Sequence, residues 1–495
     1  MKAKITANKN FTIGQIDERI YGSFVEHMGR CVYGGIYEPG HESADEMGFR
    51  EDVRALVRQL GIPLVRYPGG NFVSGYRWED GTGPKENRPR RLELAWKSVE
   101  TNQVGIDEFQ HWARTVDADI LMTVNLGTRG AEDAKNLVEY CNGETDTHYA
   151  NLRRQNGFEK PFGVKTWCLG NEMDGYWQIG AKSAEEYGRL AAETAKMMKW
   201  ADPEIELVVC GSCGFRRPTY GKWDLTVLEH TYEHIDYISI HMFSANKTDD
   251  TARFLGRSVL MDDFIKSTAA ICDTVKAMKR SKKTVNISFD EWNVWYHTLQ
   301  DQENPWQEAP ALLQDVYTFD DALVVGCMLM TLQNNCDRVK LACMAQLVNV
   351  LAPIMTENGG KAWVQTTFYP FLYGVRHGRG HALRTVTQCD SYKTDDGLTV
   401  PYIESVVIAG EDAVTLFAVN RSLEEDMELT LALEDFGSLK PVEHTELYCE
   451  DLKAVNTKDA SPVQPKQREL PQFDGAQAQI KLKKHSWNMV RFAYQ

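Results

Sequence analysis

Eight short apolar runs, each suited to a buried strand, alternate with helical patterns between about residues 15 and 378. The runs are 20–26, 63–67, 119–125, 164–169, 206–212, 237–242, 284–292 and 339–347. This order restricts the chain more than any bulk property does. A strand that returns to the same sheet through a helix is parallel to its predecessor, and eight such units close into a (β/α)8 barrel. The competing open, doubly wound sheet carries a glycine-rich phosphate loop after its first strand, and none follows residue 26.

The intervening patterns read as helices. Phe49, Val53, Leu56, Val57 and Leu60 share one face of a helix expected over 45–60, with Gly61 as its stop. A second is expected near 106–116. Ser183 and Glu186 form a capping box before the helix that follows strand four. Ile265, Thr268, Ile271 and Val275 mark another over 264–278. A long apolar helix is expected over 311–332, and the amphipathic segment 363–375 closes the series. From about residue 380 the period becomes two, as in Val414, Leu416 and Ala418, or Leu429, Leu431 and Leu433. Half-buried strands of this kind predict a C-terminal antiparallel β-sandwich. Residues 1–14, with Ile5 and Phe11 among lysines, read as an edge strand.

The length of 495 residues suits a ~250-residue barrel enlarged by insertions, plus a smaller domain. A formal charge of −15 argues against nucleic acid as a partner. The opening MKAKITANKNFTIG lacks the apolar core of a signal peptide, and no run of about 18 apolar residues would span a membrane. Eleven scattered cysteines, an odd number, suit reduced thiols. A cytoplasmic location with no membrane partner is the expectation.

Active sites of such barrels lie at the C-terminal strand ends. Those ends carry Glu26, Arg66 with Asn71, Asn125, Asn171 with Glu172, Ser212, His241, Glu291 and Gln346. Glu172 lies in TWCLGNEMDG and Glu291 in TVNISFDEW, on strands four and seven. A carboxylate there is unfavourable unless it is paired or does chemistry. Two carboxyls flanking a sugar bond are the minimum machinery for glycoside hydrolysis, and retention needs them ~5–5.5 Å apart. The nucleophile must stay ionised, which calls for donors such as Arg66 or His241. Tryptophans 96, 177, 292, 295 and 306 are candidate platforms for sugar faces.

Three other patterns read as structural. His230-Thr-Tyr-Glu-His234 matches a zinc-peptidase spacing but sits on a polar helix that faces outward. Cys210 and Cys213 have no second cysteine pair of matching spacing. His377 and His381 enclose two glycines, which suit a domain-junction loop. No metal or other cofactor is expected.

The blocks IYGSFVEHMGRCVYGGIY, VRYPGGNFVSGYRWEDG, CLGNEMDG, ISIH and SFDEWNVWY resemble those of the glycoside hydrolase family 51 α-L-arabinofuranosidases. The likeness runs over essentially the whole chain. It implies a retaining, exo-acting hydrolase without a metal, with Glu172 as acid/base and Glu291 as nucleophile. Glu26, Asn71, Asn171 and Gln346 would bond the furanose hydroxyls. Arg66 and His241 would lie behind the carboxylates, and Trp96 would border the leaving-group side. The substrates would be arabinan, arabinoxylan or derived oligosaccharides. The sandwich, of jelly-roll type, would include the N-terminal strand, giving a barrel of 15–378 and a second domain of 1–14 plus 379–495. A cytoplasmic homo-oligomer, commonly a hexamer, is also implied.

One position departs from that family pattern. Two residues after the strand-six histidine the family usually carries a tyrosine that bonds the nucleophile, and here Phe243 stands there. Tyr220 and Tyr296 are the candidate substitutes. A β-glycanase or β-xylosidase of the same barrel clan is the runner-up, because the glutamates alone do not choose the sugar. A non-catalytic sugar-binding barrel is the alternative from another class.

Overall fold

The structure is a computed structural model in which residues 1–296 and 305–495 are described. Eight strands close into a barrel: β1 (Gly22–Phe24), β2 (Leu64–Tyr67), β3 (Asp119–Val124), β4 (Thr166–Leu169), β5 (Glu206–Cys210), β6 (Tyr237–Ser244), β7 (Asn286–Val294) and β8 (Val339–Ala345). They neighbour one another in chain order, and every pairing is parallel. Both faces of these strands are covered, so they read as continuous apolar runs rather than alternations. Phe24, Leu64, Leu121, Cys168, Val208, Tyr237, Leu341 and Cys343 meet inside the barrel as one cluster. The barrel is therefore filled, and active sites of such barrels lie at the mouth.

Several helix boundaries differ from expectation, each for a local reason. The first helix spans Glu51–Leu60, because Asp45 accepts the N–H groups of Met47 and Phe49 and holds that stretch as a turn. The apolar helix spans Phe319–Asn334 rather than 311–332. Asp321 caps its start by accepting from the backbone N–H and hydroxyl of Thr318. The last helix of the series is Phe368–His377. The first strand is only three residues long, preceded by a 3-10 turn at Glu18–Tyr21, so Glu26 lies beyond its end.

The second sheet has ten strands, and all but one of its pairings are antiparallel. Ile5, Leu429 and Ile480 from one part of it share an apolar core with Val414, Leu416 and Val490 from another. The sheet thus folds over on itself as a sandwich. The strand Lys2–Gln15 is not at an edge. It lies between His381–Cys389, to which it is antiparallel, and Met427–Glu434, to which it is parallel. Its lysines point to solvent while Ala3, Ile5 and Ala7 are buried. A one-sided central strand carries the same alternation as a charged edge.

Polar contacts fix the sandwich to the barrel. Arg421, fully buried, pairs with Glu404 and reaches Ser258 Oγ on the barrel helix Arg257–Lys279 at 2.5 Å. Lys453 Nζ lies 2.8 Å from Asp320 Oδ2 at the start of helix Phe319–Asn334.

Candidate active site

β4 ends at Leu169, and the chain turns sharply at Gly170 to present Asn171 and Glu172. Glu172 has a φ of 46°, a left-handed conformation that non-glycine residues use sparingly and that clusters at functional sites. β7 brings Glu291 to the same mouth by a different device. Its ladder with β6 pairs Ser288 with Ser239 and Glu291 with His241, so β7 holds one extra residue in that interval. In a regular strand Asp290 and Glu291 would point to opposite faces. The bulge lets both carboxylates address the same imidazole.

His241 Nε2 lies 3.1 Å from Asp290 Oδ1, and Nδ1 lies 2.9 Å from Glu172 Oε1 and 3.7 Å from Glu291 Oε2. Arg66, from β2, donates from Nη1 to Glu291 Oε1 at 2.6 Å and from Nη2 to Asn171 Oδ1 at 2.7 Å. Its Nε is 3.6 Å from Asp290 Oδ2, and its guanidinium lies 4.8 Å from the centre of the Phe24 ring. Ligating atoms of Glu172, His241 and Glu291 all lie within 4.8 Å of one another. Among the described residues this is also the trio that could most closely approach a metal site. The imidazole, however, has both nitrogens engaged by carboxylates, and Arg66 already occupies Glu291.

Burial disfavours charge on His241, but the Glu291 charge and the bonds to Asp290 and Glu172 push it up to about 10. Asp290, although buried, is held down to about 2 by Arg66, His241 and Ser239. Burial raises the Glu291 carboxyl above its ordinary value, opposed by His241 and Arg66 and reinforced by Glu172. Glu26 is pushed up to about 8, chiefly by burial, with the charge of Glu291 adding to the effect.

The remaining expected residues line the same cleft. Glu26 Oε1 accepts from the Phe72 N–H at 3.0 Å and from Trp96 Nε1 at 2.9 Å. Gln346 Nε2 donates to Glu26 Oε2 at 3.3 Å. Asn171 Nδ2 lies 3.5 Å from Asn71 Oδ1. Gly70 sits where these groups converge. A Cβ there would meet Glu291 Oε1 at 3.1 Å and Glu26 Oε2 at 3.2 Å, so a side chain would press on both carboxyls. Asn125 and Ser212 have another task. Asn125 ties the loop of Gly127 and Thr128, and Ser212 bonds Asp174.

The tryptophans divide. Trp96 reaches Glu26, and Trp177 donates from Nε1 to Glu172 Oε2 at 3.0 Å. Trp292 is fully buried in the core, Trp295 packs edge-on to Phe243 at 5.1 Å, and Trp306 is partly exposed. Neither proposed substitute for the missing tyrosine serves Glu291. Tyr220 bonds Ser267, and Tyr296 bonds Asp321. Asp290 is not marked by its place in the sequence, because it precedes a strand end and its use depends on the bulge. His230 is bonded to Glu185. Cys210 and Cys213 are free thiols. His377 ends a helix and His381 begins a strand, as a junction requires.

Residues 56–257 match the domain family described as α-L-arabinofuranosidase 1 domain, and residues 290–486 match the α-L-arabinofuranosidase C-terminal domain. The chain is 52% identical to the intracellular exo-α-(1→5)-L-arabinofuranosidase 1 of Bacillus subtilis, covering 100% of this chain and 99% of that one. It is 50% identical to an exo-α-(1→6)-L-arabinofuranosidase of Bifidobacterium longum, over 92% of this chain and 90% of that one. Its fold matches the solved family 51 α-L-arabinofuranosidase of Bifidobacterium longum with a TM-score of 0.95 at 43% identity, covering 99% of both chains. The arabinose complex of the Thermotoga maritima enzyme matches with a TM-score of 0.90 at 34% identity, covering 100% of both. A barrel mouth built around two glutamates and whole-length likeness of this order lead to one conclusion: the chain belongs to the α-L-arabinofuranosidases of glycoside hydrolase family 51.

Proposed function

We propose that the protein is a retaining, exo-acting α-L-arabinofuranosidase that works by double displacement, with Glu291 as nucleophile and Glu172 as acid/base. The observation that carries this reading is an asymmetry between two carboxyls whose oxygens lie within 4.8 Å. Arg66 donates to Glu291 at 2.6 Å and makes no bond to Glu172. The guanidinium favours negative charge on the carboxyl it binds, opposing the effect of burial there. That carboxylate attacks the anomeric carbon. Glu172 gives the leaving oxygen its proton, then takes one from water as the glycosyl-enzyme is hydrolysed.

His241 moves little charge itself. As an imidazolium it is oriented by Asp290 and sets positive charge 3.7 Å from Glu291 Oε2, with Nδ1 2.9 Å from Glu172 Oε1. Asn171, fixed through its Oδ1 by Arg66, Asn71, which meets Asn171 Nδ2 at 3.5 Å, and Gln346, bonded to Glu26, are the side chains assigned to the sugar hydroxyls. Glu26, held by Gln346 and by Trp96 Nε1, belongs to the same polar wall. Arabinose-containing oligosaccharides are the substrates of this reading, and several relatives are named intracellular, which supports a cytoplasmic enzyme. No helix among the described residues is long and apolar enough to cross a membrane. The division into 15–378 and 1–14 plus 379–495 and assembly as a homo-oligomer, possible forms including a hexamer, belong to the same proposal.

The roles separate in an azide experiment. Glu291→Ala removes the covalent step and abolishes hydrolysis of every substrate. Glu172→Ala still forms the glycosyl-enzyme from an aryl arabinofuranoside with a good leaving group, then stalls. Azide needs no base, so it restores turnover there and gives the α-L-arabinofuranosyl azide by two inversions. Direct attack of azide in Glu291→Ala gives the β product by one. The reverse pairing of products and variants means that the two roles are exchanged.

A further inference from the structure

We infer that the cavity beside His241 is a subsite for a leaving group that carries a carboxylate, an inference that rests on the arabinofuranosidase reading above. The cavity has a volume of about 560 Å³. It opens between the loop after β5, the end of β6 and the helix Arg257–Lys279. His241 forms part of its wall, so it is continuous with the catalytic carboxylates. Arg216, Arg217, Lys247 and Arg257 also line it, and no carboxylate among the described residues does.

Four cations around one cavity are unexpected on a chain of net charge −15. The bland explanation is that they serve a structural counter-ion. Asp396, from the sandwich, is that counter-ion. It accepts from Arg257 Nη1 at 2.9 Å and from Arg253 Nε at 3.0 Å, and lies 3.9 Å from Arg216. One carboxylate shared by three guanidiniums leaves positive charge in excess. Among the described residues, neither Arg217 nor Lys247 has a carboxylate within ion-pair distance. Arg217 Nε is buried without an acceptor among those residues.

The cavity lies on the leaving-group side. Arg217 covers the Trp177 ring at 4.7 Å, and Trp177 donates to Glu172, the residue that protonates the departing oxygen. Phe243 and Trp295, edge-on at 5.1 Å, give the cavity an apolar wall for a ring. An apolar wall with guanidinium and ammonium groups at the rim suits a ring bearing a carboxylate. A hexuronosyl unit is the sugar chemistry that meets both requirements.

The test compares 4-carboxyphenyl α-L-arabinofuranoside with its methyl ester, in the full-length enzyme and in the Arg216→Ala/Lys247→Ala double variant. The acid-to-ester ratio of kcat/KM is expected to fall about threefold in the variant, the size expected of exposed charge contacts. In the wild type the same ratio falls as ionic strength rises from about 0.05 to about 0.5 M. Arg216→Glu/Lys247→Glu lowers it further. A ratio unchanged by both double variants overturns the subsite while leaving ester hydrolysis, and so the arabinofuranosidase reading, intact. Failure of the wild type to hydrolyse either compound overturns both.

Discussion

His241 Nε2 and Asp290 Oδ1 are 3.1 Å apart at the base of the cleft, and their contact holds the imidazole whose other nitrogen meets Glu172 at 2.9 Å. Asp290 touches no part of the cleft where a sugar bond would break. It acts through the ring, and its own charge is secured by Arg66 and by the Ser239 hydroxyl.

Asp290→Asn keeps the shape and removes the charge. His241 stays protonated until the pH rises through about 10, because Asp290 and the glutamates favour the imidazolium. With one of those charges gone that value drops, so the alkaline limb of kcat/KM moves to lower pH. A charge-assisted hydrogen bond of ~1.5–3 kcal/mol corresponds to roughly a 10–100-fold loss in kcat. An alkaline limb that does not move would show that the imidazolium is irrelevant to turnover.

Phe243→Tyr places a hydroxyl beside β7, the strand of the proposed nucleophile Glu291. Phe243 pairs with Asn293 in the ladder, two residues beyond the His241–Glu291 pair and on the same face. A new donor to an ionised carboxylate is worth ~1.5–3 kcal/mol, so the rate of glycosyl-enzyme formation changes. The donor also weakens the nucleophile, so either sign is compatible with contact. Identical pre-steady-state rates would mean that the added hydroxyl does not reach Glu291.

Arg421→Ala tests the seam between the domains. The substitution leaves Glu404 without its buried partner and removes the link to Ser258. Breaking such a pair is destabilising by about 3–5 kcal/mol. Thermal unfolding is expected to begin earlier, with the barrel and sandwich separating into two transitions. A melting curve superimposable on the wild type would rule out a mechanical role for this arginine.

Exhaustive chelation is expected to leave activity intact. The trio that could approach a metal is already engaged in ion pairs, and a histidine held as an imidazolium has no lone pair to offer. Loss of activity on chelation, restored by zinc, would reverse this conclusion.

The barrel was legible because its strands are buried on both faces and its helices keep a 3.6-residue stripe. Glu172 and Glu291 were legible because a carboxylate next to an apolar strand is unfavourable without a purpose. Asp290 was not, since its orientation depends on one extra residue in β7, and a bulge leaves no trace in hydrophobic periodicity. The task of Trp177 was also hidden. Its contact with Glu172 arises from a loop turn, whereas its composition marks only a possible sugar platform. The N-terminal strand reads as an edge but is central, because lysines alternating with small apolar residues look the same at an edge and on the wet face of a central strand.

That central strand bears on the order in which the molecule can be made. Ala3 pairs with Cys389 on one side and with Leu429 on the other. A ribosome therefore delivers the first piece of the sandwich long before its neighbours, and the whole barrel is synthesised in between. At ~5–20 residues per second this interval is tens of seconds. During that time the N-terminal segment must wait with its backbone unpaired and its apolar face uncovered. The sandwich can assemble only as the last residues emerge, which makes the C-terminal strands the closing step for a domain that the chain began first.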